Sequence, residues 1–477
     1  MKILFIASEV SPFSKTGGLG DVAGALPAAL AALGHDVKVV TPRYRDVREG
    51  GRLVPTGASL EVRFPSGELR GPILSARLSE RLEVLFLENE ALYGGRDGLY
   101  GDMHGEFGDN SRRFAYLSVG ALQAAQRLDF APDIVSLHDW QAGLAALALR
   151  RGYAGTALAR ARSVFTVHNL AYQGQFPKSV MGELGLPWDV FTAENGLEFH
   201  DTVNFLKAGL VYSDALTTVS PTYAREIQTP EQGYGLDGLL RRRAHALTGI
   251  INGIDTQAWD PGADPFLPAR FETGDLTGKA VCKRELLARF GLPPADAPVF
   301  GIVTRLAWQK GVDLLLDVLP TALQADLRFV AVGNGEGPLE DGLRALQARF
   351  PRQVGVHLGF DLGLSHLLEA GADFFLMPSR YEPCGLNQMY SLRYGTVPIV
   401  RATGGLMDTV EGGLEGNGLL FEAFHPAALL AAIRRALSLY ADPPRMAAFR
   451  RRGMEKDFSW AASARRYEAL FASLRTE

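Results

Sequence analysis

Short, nearly unbroken apolar runs recur along this chain, and helical patterns separate many of them. In the first half they are Ile3–Ala7, Val37–Val40, Leu82–Leu87, Ile134–Leu137, Val164–Val167 and Leu216–Val219. In the second half they are Val299–Val303, Leu327–Val332, Val354–Leu358, Phe374–Met377 and Val397–Val400. A strand that is apolar at every position is buried on both faces, the condition of a parallel sheet covered by helices on each side. Strand–helix alternation in both halves therefore predicts an α/β protein with two doubly wound domains. The stretch NGIDTQAWDPGADP (Asn252–Pro265), rich in Gly, Pro and Asp, separates them and places the boundary near Ile250–Pro265. The domains then run over 1–250 and 251–458. Ser459–Leu474 reads as an amphipathic helix, with Trp460, Tyr467, Leu470, Phe471 and Leu474 on one stripe and Ser459 as its N-cap. In the first helix, Val22, Ala25, Leu26, Ala29, Leu30 and Leu33 keep a helical step and Gly34 supplies a stop. Pro27 inside that pattern demands either a kink or a start after Asp21.

Composition narrows the function. A chain of 477 residues with 47% hydrophobic content buries large cores without staples. A net charge of −4 argues against a general nucleic-acid binder, which needs a basic face. Two cysteines, Cys282 and Cys384, make neither a disulfide framework nor a cysteine zinc site. The start MKILFIASEV carries too short an apolar run for a signal peptide, and no stretch approaches the roughly 20 residues that span a bilayer. The expectation is a soluble cytoplasmic protein with no membrane partner. No His-x-x-x-His, no pair of Glu-x-x-His motifs and no EF-hand spacing is present, so neither a metal nor a cofactor is expected.

The 53 glycines gather in short loops after the apolar runs, where α/β proteins place their ligands. In SEVSPFSKTGGLGDVAGALP (Ser8–Pro27), Gly17, Gly18 and Gly20 admit close backbone approach, Lys15 adds a charge, and the next helix offers free N–H groups. This is phosphate-loop logic without a Walker A ending. Gly18, Gly20 and Gly24 also imitate a dinucleotide fingerprint, but they follow the strand by about ten residues, too far for its tight turn. A flexible surface loop is the other reading. Gly333–Gly337 either lines a ligand or solves a backbone turn. Arg305 and Lys310 in VTRLAWQKG combine a guanidinium fork and an ammonium, a set suited to a diphosphate, or are solvated surface cations. Glu382 in PSRYEPCGLNQ can accept from sugar hydroxyls while the Gly385 and Leu386 amides meet an anion; alternatively it only favours a helix start. His138-Asp139-Trp140 and His168-Asn169 follow strands. Planar polar groups with a ring suit a sugar, although a lone strand histidine is also a common core residue. Cys384 beside Glu382 reads as a thiol-sensitive position or as a small buried residue.

The ordered set KTGGLGDVAGALP, HDWQAG, VHNLAYQG, NFLKAG, TVSPTYAREI, YGLDGLL, NGID, TRLAWQKG and EPCGLNQ closely resembles the bacterial glycogen synthases, whose motif series plant starch synthases share. The resemblance implies a GT-B glycosyltransferase, with two Rossmann-like domains facing across a cleft and the 459–474 helix crossing back to the first. It implies metal-free, retaining transfer of glucose from ADP-glucose to the non-reducing end of an α-1,4-glucan, either glycogen or a malto-oligosaccharide. On that resemblance Lys15, the Gly18 amide and Asp21 contact the sugar nucleotide, while Arg305 and Lys310 hold the diphosphate. His168 contacts the glucose 6-hydroxyl, Asn252 contacts the same hydroxyl, and Asp139 and Trp140 line the sugar or acceptor pocket. Glu382 holds the 3- and 4-hydroxyls beside the Gly385 and Leu386 amides. His168, Arg305, Lys310 and Glu382 are then the catalytic set. Two positions depart from the family: Asn387 replaces the usual Thr, and Gln141 a frequent His. No residue reads adenine by itself, so the preference for ADP over UDP rests on the resemblance. No carboxylate is placed as a covalent nucleophile, which favours a same-face displacement. Three alternatives stay open: another enzyme of the same fold, either a UDP-glucose user or a glucan phosphorylase with a pyridoxal phosphate lysine; a nicotinamide oxidoreductase; and a non-catalytic glucan-binding protein.

Overall fold

The computed structural model describes residues 1–45, 47 and 53–475. The chain forms two compact units. The first comprises Met1–Val219, Ala224–Gly253 and the C-terminal segment from Trp460; the second comprises Ser220–Tyr223 and Ile254–Ser459.

Nine strands build the sheet of the first unit: β1 (Lys2–Ile6), β2 (Asp36–Pro42), β3 (Val54–Phe64), β4 (Gly67–Ser79), β5 (Leu82–Leu87), β6 (Ile134–His138), β7 (Arg162–Val167), β8 (Ala215–Thr218) and β9 (Leu247–Gly249). Their order is β9-β8-β7-β6-β1-β2-β5-β4-β3, parallel except for the β3–β4 and β4–β5 pairs. The six apolar runs of the first half are β1, β2, β5, β6, β7 and β8, and all pair in parallel with one another. The antiparallel β3–β4 hairpin is an addition to the sequence reading. Leu60, Val62 and Phe64 are buried along β3 while Glu61 and Arg63 are not, so its one wet face breaks up the apolar run. Helices α1 (Gly18–Ala32), α2 (Asn110–Arg127), α3 (Asp139–Gly152) and α4 (Phe205–Tyr212) complete the main framework.

Of the two alternatives for α1 the late start is excluded: the helix starts at Gly18 and runs through Pro27. The cost is one intrahelical hydrogen bond, at the Ala23 carbonyl. Gly34 is the stop, with φ +92. Its amide bonds the Ala31 carbonyl at 2.9 Å and that of His35 bonds the Leu30 carbonyl at 3.2 Å, the paired closure that a left-handed glycine permits.

The second unit holds β10 (Val299–Val303), β11 (Arg328–Gly333), β12 (Val354–Leu358), β13 (Phe374–Met377), β14 (Val397–Arg401) and β15 (Leu419–Phe421). They run parallel in the order β12-β11-β10-β13-β14-β15, the 3-2-1-4-5-6 order of dinucleotide-binding sheets. Its helices are α5 (Thr277–Arg289), α6 (Val312–Ala322), α7 (Gly337–Arg349), α8 (Leu362–Gly371), α9 (Asn387–Arg393), α10 (Gly404–Thr409), α11 (Pro426–Tyr440) and α12 (Pro443–Met454). Neighbouring strand residues go to opposite faces. Phe300, Phe329, Phe374 and Ile399 pack with Leu315 and Ile433, whereas Val299, Val330, Phe375 and Val400 pack with Leu286 and Leu368. Two-sided burial is why these strands were legible as continuous apolar runs.

The last helix, α13 (Trp460–Arg475), packs on α1 in the first unit, with Glu468 bonded to His35 at 2.8 Å. Its buried stripe is Trp460, Ser463, Ala464, Tyr467 and Phe471, whereas Leu470 and Leu474 are only half-buried. The small residues let α13 lie close, and the flanking leucines cover the edge. Among the described residues no helix is long and apolar enough to cross a membrane.

Among the parallel strands chain order reverses once in each sheet, between β1 and β6 in the first and between β10 and β13 in the second. Loops leave these strands in opposite directions and open a crevice at their carboxyl ends, the place where such sheets bind ligands.

Candidate functional site

In the first unit the loop after β1 lies at the reversal. Glu9, 3% exposed, organises it. Its carboxylate accepts from the Thr16 amide and hydroxyl at 2.6 Å each, from the Gly17 amide at 3.2 Å and from the Tyr100 hydroxyl at 2.6 Å. Sequence reasoning missed both Glu9 and Tyr100; an acid between a buried strand and a glycine loop was the available signal. Gly17 precedes α1 with no side-chain cap, so the first amides of the helix stay free. A Cβ added at Gly17 or Gly18 meets nothing within 4 Å, whereas one at Gly20 comes within 3.0 Å of the Lys15 side chain. Lys15 pairs with Asp21 at 2.7 Å, and both are partly exposed. The structure thus joins Lys15 and Asp21 and leaves the Gly17–Gly18 approach open.

The ends of β6 and β7 supply two histidines. His138 is buried against Phe5, with ring centroids 3.9 Å apart. Its Nε2 bonds Ser136 Oγ at 2.9 Å and its Nδ1 bonds His168 Nε2 at 2.9 Å. Burial pushes His138 well below the usual histidine range, with His168 adding to the effect, and pushes His168 down to about 3. Both rings are therefore neutral at neutral pH, and one donates an N–H to the other. Asp139 opens α3 in the left-handed region, with φ +57, a conformation that costs a non-glycine residue about 1–3 kcal/mol. Its Oδ1 accepts from the His168 amide at 2.7 Å. Burial pushes its carboxyl up to about 7, opposed by the amides of His168 and Asn169.

Trp140 is 8% exposed and packs edge-on against Phe114 at 4.9 Å and Phe176 at 5.7 Å, while a Cβ at Gly174 would strike its ring at 2.3 Å. These contacts hold the start of α3 and fix the ring beside Asp139. Asn252 is 6% exposed, and its Oδ1 is a buried acceptor without a partner; Gln141 Oε1 is another. Such orphaned oxygens are costly unless a ligand hydroxyl or water completes them.

In the second unit four loops converge at the β10–β13 reversal. Leu306 pairs with Gly335, a Cβ at Gly335 would lie 2.1 Å from the Leu306 carbonyl, and one at Gly333 would lie 1.9 Å from that of Thr304. Gly404 stands equally close to the Glu382 carbonyl. Gly333 and Gly335 thus solve backbone approach, whereas a Cβ at Gly337 would meet nothing within 4 Å. Arg305 is exposed and its side chain has no hydrogen bond or ion pair among the described residues. Lys310 pairs with Glu382 at 2.6 Å, and Ser379 Oγ donates to the same Oε2 at 3.0 Å. Sequence reasoning gave Lys310 and Glu382 separate tasks; the fold makes them one pair. Gly385, at φ +72, and Leu386 precede α9, which has no side-chain cap. Among the described residues nothing accepts from their amides. Asn387 turns its amide to the Val303 carbonyl, tying α9 to the end of β10. Cys384 is 6% exposed, which favours the small buried residue. Phe360, at the carboxyl end of β12, is 82% exposed and went unnoticed in the sequence, where a lone aromatic in a loop carries no signal. Among the described residues no group of three or more His, Cys, Asp or Glu is placed to hold a metal ion.

The starch synthase catalytic domain model matches residues 2–242, and the glycosyl transferases group 1 model matches residues 283–455. The chain is 78% identical to glycogen synthase of Myxococcus xanthus over 477 residues, with all of both chains covered. It is 55% identical to glycogen synthase of Anaeromyxobacter sp. (strain Fw109-5), with 99% of each covered. Among solved structures it is similar to the catalytic domain of starch synthase IV from Arabidopsis thaliana bound to ADP and acarbose, at TM-score 0.91 and 34% identity, covering 100% of this chain and 99% of that one. A sucrose-phosphate synthase from Thermosynechococcus elongatus, 19% identical at TM-score 0.63 with 99% and 98% covered, shares the fold.

Proposed function

The chain belongs to the glycogen synthase family, and on that premise we propose that it moves glucose from ADP-glucose to the non-reducing end of an α-1,4-glucan, with retention at the anomeric carbon. The observation that carries the residue assignment is at the β10–β13 reversal. Arg305 is a guanidinium fork with no partner among the described residues, on the loop that also delivers Lys310. A fork and an ammonium match the oxygens of a diphosphate. They stabilise the charge that develops there as the sugar–phosphate bond breaks, the task otherwise given to a general acid or a metal.

The displacement occurs on one face of the sugar. The bond from glucose C1 to the phosphate oxygen breaks, the acceptor O4 bonds to C1, and the departing phosphate takes the proton of the 4-hydroxyl. Glu382 Oε2 is occupied by Lys310 and Ser379, so Oε1, without a partner among the described residues, accepts from the glucose hydroxyls. The Gly385 and Leu386 amides face the same donor. His168, neutral, and the orphaned Asn252 Oδ1 take the 6-hydroxyl. The Lys15–Asp21 pair and the Gly18 amide complete the donor contacts, and Asp139 orients the acceptor. Phe360 offers a flat apolar face to the base.

The test is glucose incorporation into glycogen from ADP-glucose and UDP-glucose in parallel, with EDTA present. Strong preference for ADP-glucose is expected. Equal or better use of UDP-glucose would overturn the donor assignment, and glycogen binding without turnover would overturn the catalytic one.

A further inference from the structure

One cation next to the proposed donor site is wholly committed to protein. Arg380, two residues before Glu382, donates Nη1 and Nη2 to the two carboxylate oxygens of Asp313 at 2.8 and 2.5 Å. Nη1 also reaches the Trp308 carbonyl at 2.6 Å. Its guanidinium lies 4.3 Å from the ring of Trp308 and 4.1 Å from that of Phe424, so aromatic rings flank it. Its own amide donates to the Gln309 carbonyl at 2.8 Å, and Gln309 Nε2 returns to the Tyr381 carbonyl at 3.3 Å. The fork and the rings leave Arg380 little to offer a diphosphate. What it does is stitch residues 308–310, which end in Lys310, to residues 379–382, which end in Glu382. The partners lie 67 and 72 residues away in sequence, so no local preference holds these loops in register.

We propose that Arg380 is a positioning residue for glucosyl transfer, setting the distance and orientation of the Lys310–Glu382 pair through its fork on Asp313 and its stack between Trp308 and Phe424. The inference rests on the roles given above to Lys310 and Glu382. A displacement of about 1 Å at reacting groups can cost roughly 10²-fold. Lysine cannot replace arginine here, because an ammonium neither forks onto a carboxylate nor stacks as a plane.

The experiment is a double-mutant cycle on turnover with ADP-glucose and glycogen, using the full chain and measuring Tm for every variant. Arg380→Gln and Arg380→Lys should each lose roughly 10²-fold in kcat. In a Lys310→Ala background the further loss from Arg380→Gln should shrink to about threefold or less, because the pair it positions is already gone. A scaffold role alone would multiply the two losses. If Arg380→Gln does not fold, Asp313→Asn, which keeps the guanidinium and its rings, carries the same test with an expected loss of about tenfold and the same non-additivity. Multiplying losses, or full activity in Arg380→Lys, would overturn the inference while leaving the donor site standing. A Lys310→Ala enzyme within tenfold of the native rate would instead overturn the reading on which it rests.

Discussion

Replacing Lys310 by alanine removes two things at once, and the structure separates them. The first is charge on the leaving diphosphate, for which loss of one preorganised donor costs about 2.7–4 kcal/mol, or 10²–10³ in kcat. The second is the partner of Glu382, a carboxylate 5% exposed that then keeps only Ser379 Oγ. Breaking a fully buried pair costs about 3–5 kcal/mol; the Lys310 side chain is 23% exposed, so water reaches that end and about 1–3 kcal/mol is the better expectation. For a unit of this size each kcal/mol moves Tm by about 2–4 °C, so Lys310→Ala should melt roughly 2–12 °C lower. Arg305→Ala supplies the control. Arg305 has no protein partner among the described residues, so its loss should cost the same 10²–10³ in kcat with Tm changed by less than about 2 °C. Adding Glu382→Gln to Lys310→Ala should recover much of the Tm and none of the turnover. The assays are initial-rate glucose incorporation from ADP-glucose and differential scanning calorimetry on the same preparations. Loss below tenfold in both single variants would refute the cation roles, and equal Tm losses for Arg305→Ala and Lys310→Ala would refute the structural distinction between them.

EDTA should leave the rate unchanged; inhibition that a divalent metal reverses would count against a leaving group stabilised by side-chain cations alone. Gly18→Ala should fold normally, since its Cβ has no neighbour within 4 Å, yet raise the KM for ADP-glucose about tenfold or more; Gly24→Ala, whose Cβ would lie 2.6 Å from the Ser11 carbonyl, should lower Tm instead. With its carboxyl pushed up to about 7, Asp139 should give kcat/KM for the acceptor an inflection near pH 7, activity rising as the carboxylate forms; the inflection should vanish in Asp139→Asn, and its survival there would exclude Asp139. His168 is depressed to about 3 against an ordinary value near 6.5, so between those values the unfolded chain binds more protons than the folded one, and stability falls as pH is lowered through that window. Urea midpoints should therefore drop less from pH 7 to pH 5 in His168→Asn than in the native chain.

Much of the proposed donor site follows strand ends that were legible. Arg305, Lys310, Glu382 and the Gly385–Leu386 amides follow parallel strands in the sequence, and the fold puts them around one reversal of strand order. Glu9 was not legible, because a single acid before a glycine loop looks like any solvated residue until its four hydrogen bonds are seen. The packing of Trp140 was not legible either, because a Trp after a strand has the same sequence signature whether or not its ring meets Phe114 and Phe176. The β3–β4 hairpin escaped for a related reason: alternation with one wet face is weaker than a run buried on both.

By itself the sequence determined the fold class and strand positions, because two-sided burial and helical periodicity are written into neighbouring residues. It also determined the chemical inventory of cations, polar groups and glycine loops that follow those strands. Only the tertiary structure decided how that inventory is paired. Lys310 meets Glu382 across 72 residues, His138 meets His168 across 30, and Arg305 is left without a partner among the described residues. These outcomes depend on which strand ends become neighbours at the reversals of sheet order, a long-range property that no local window of sequence contains.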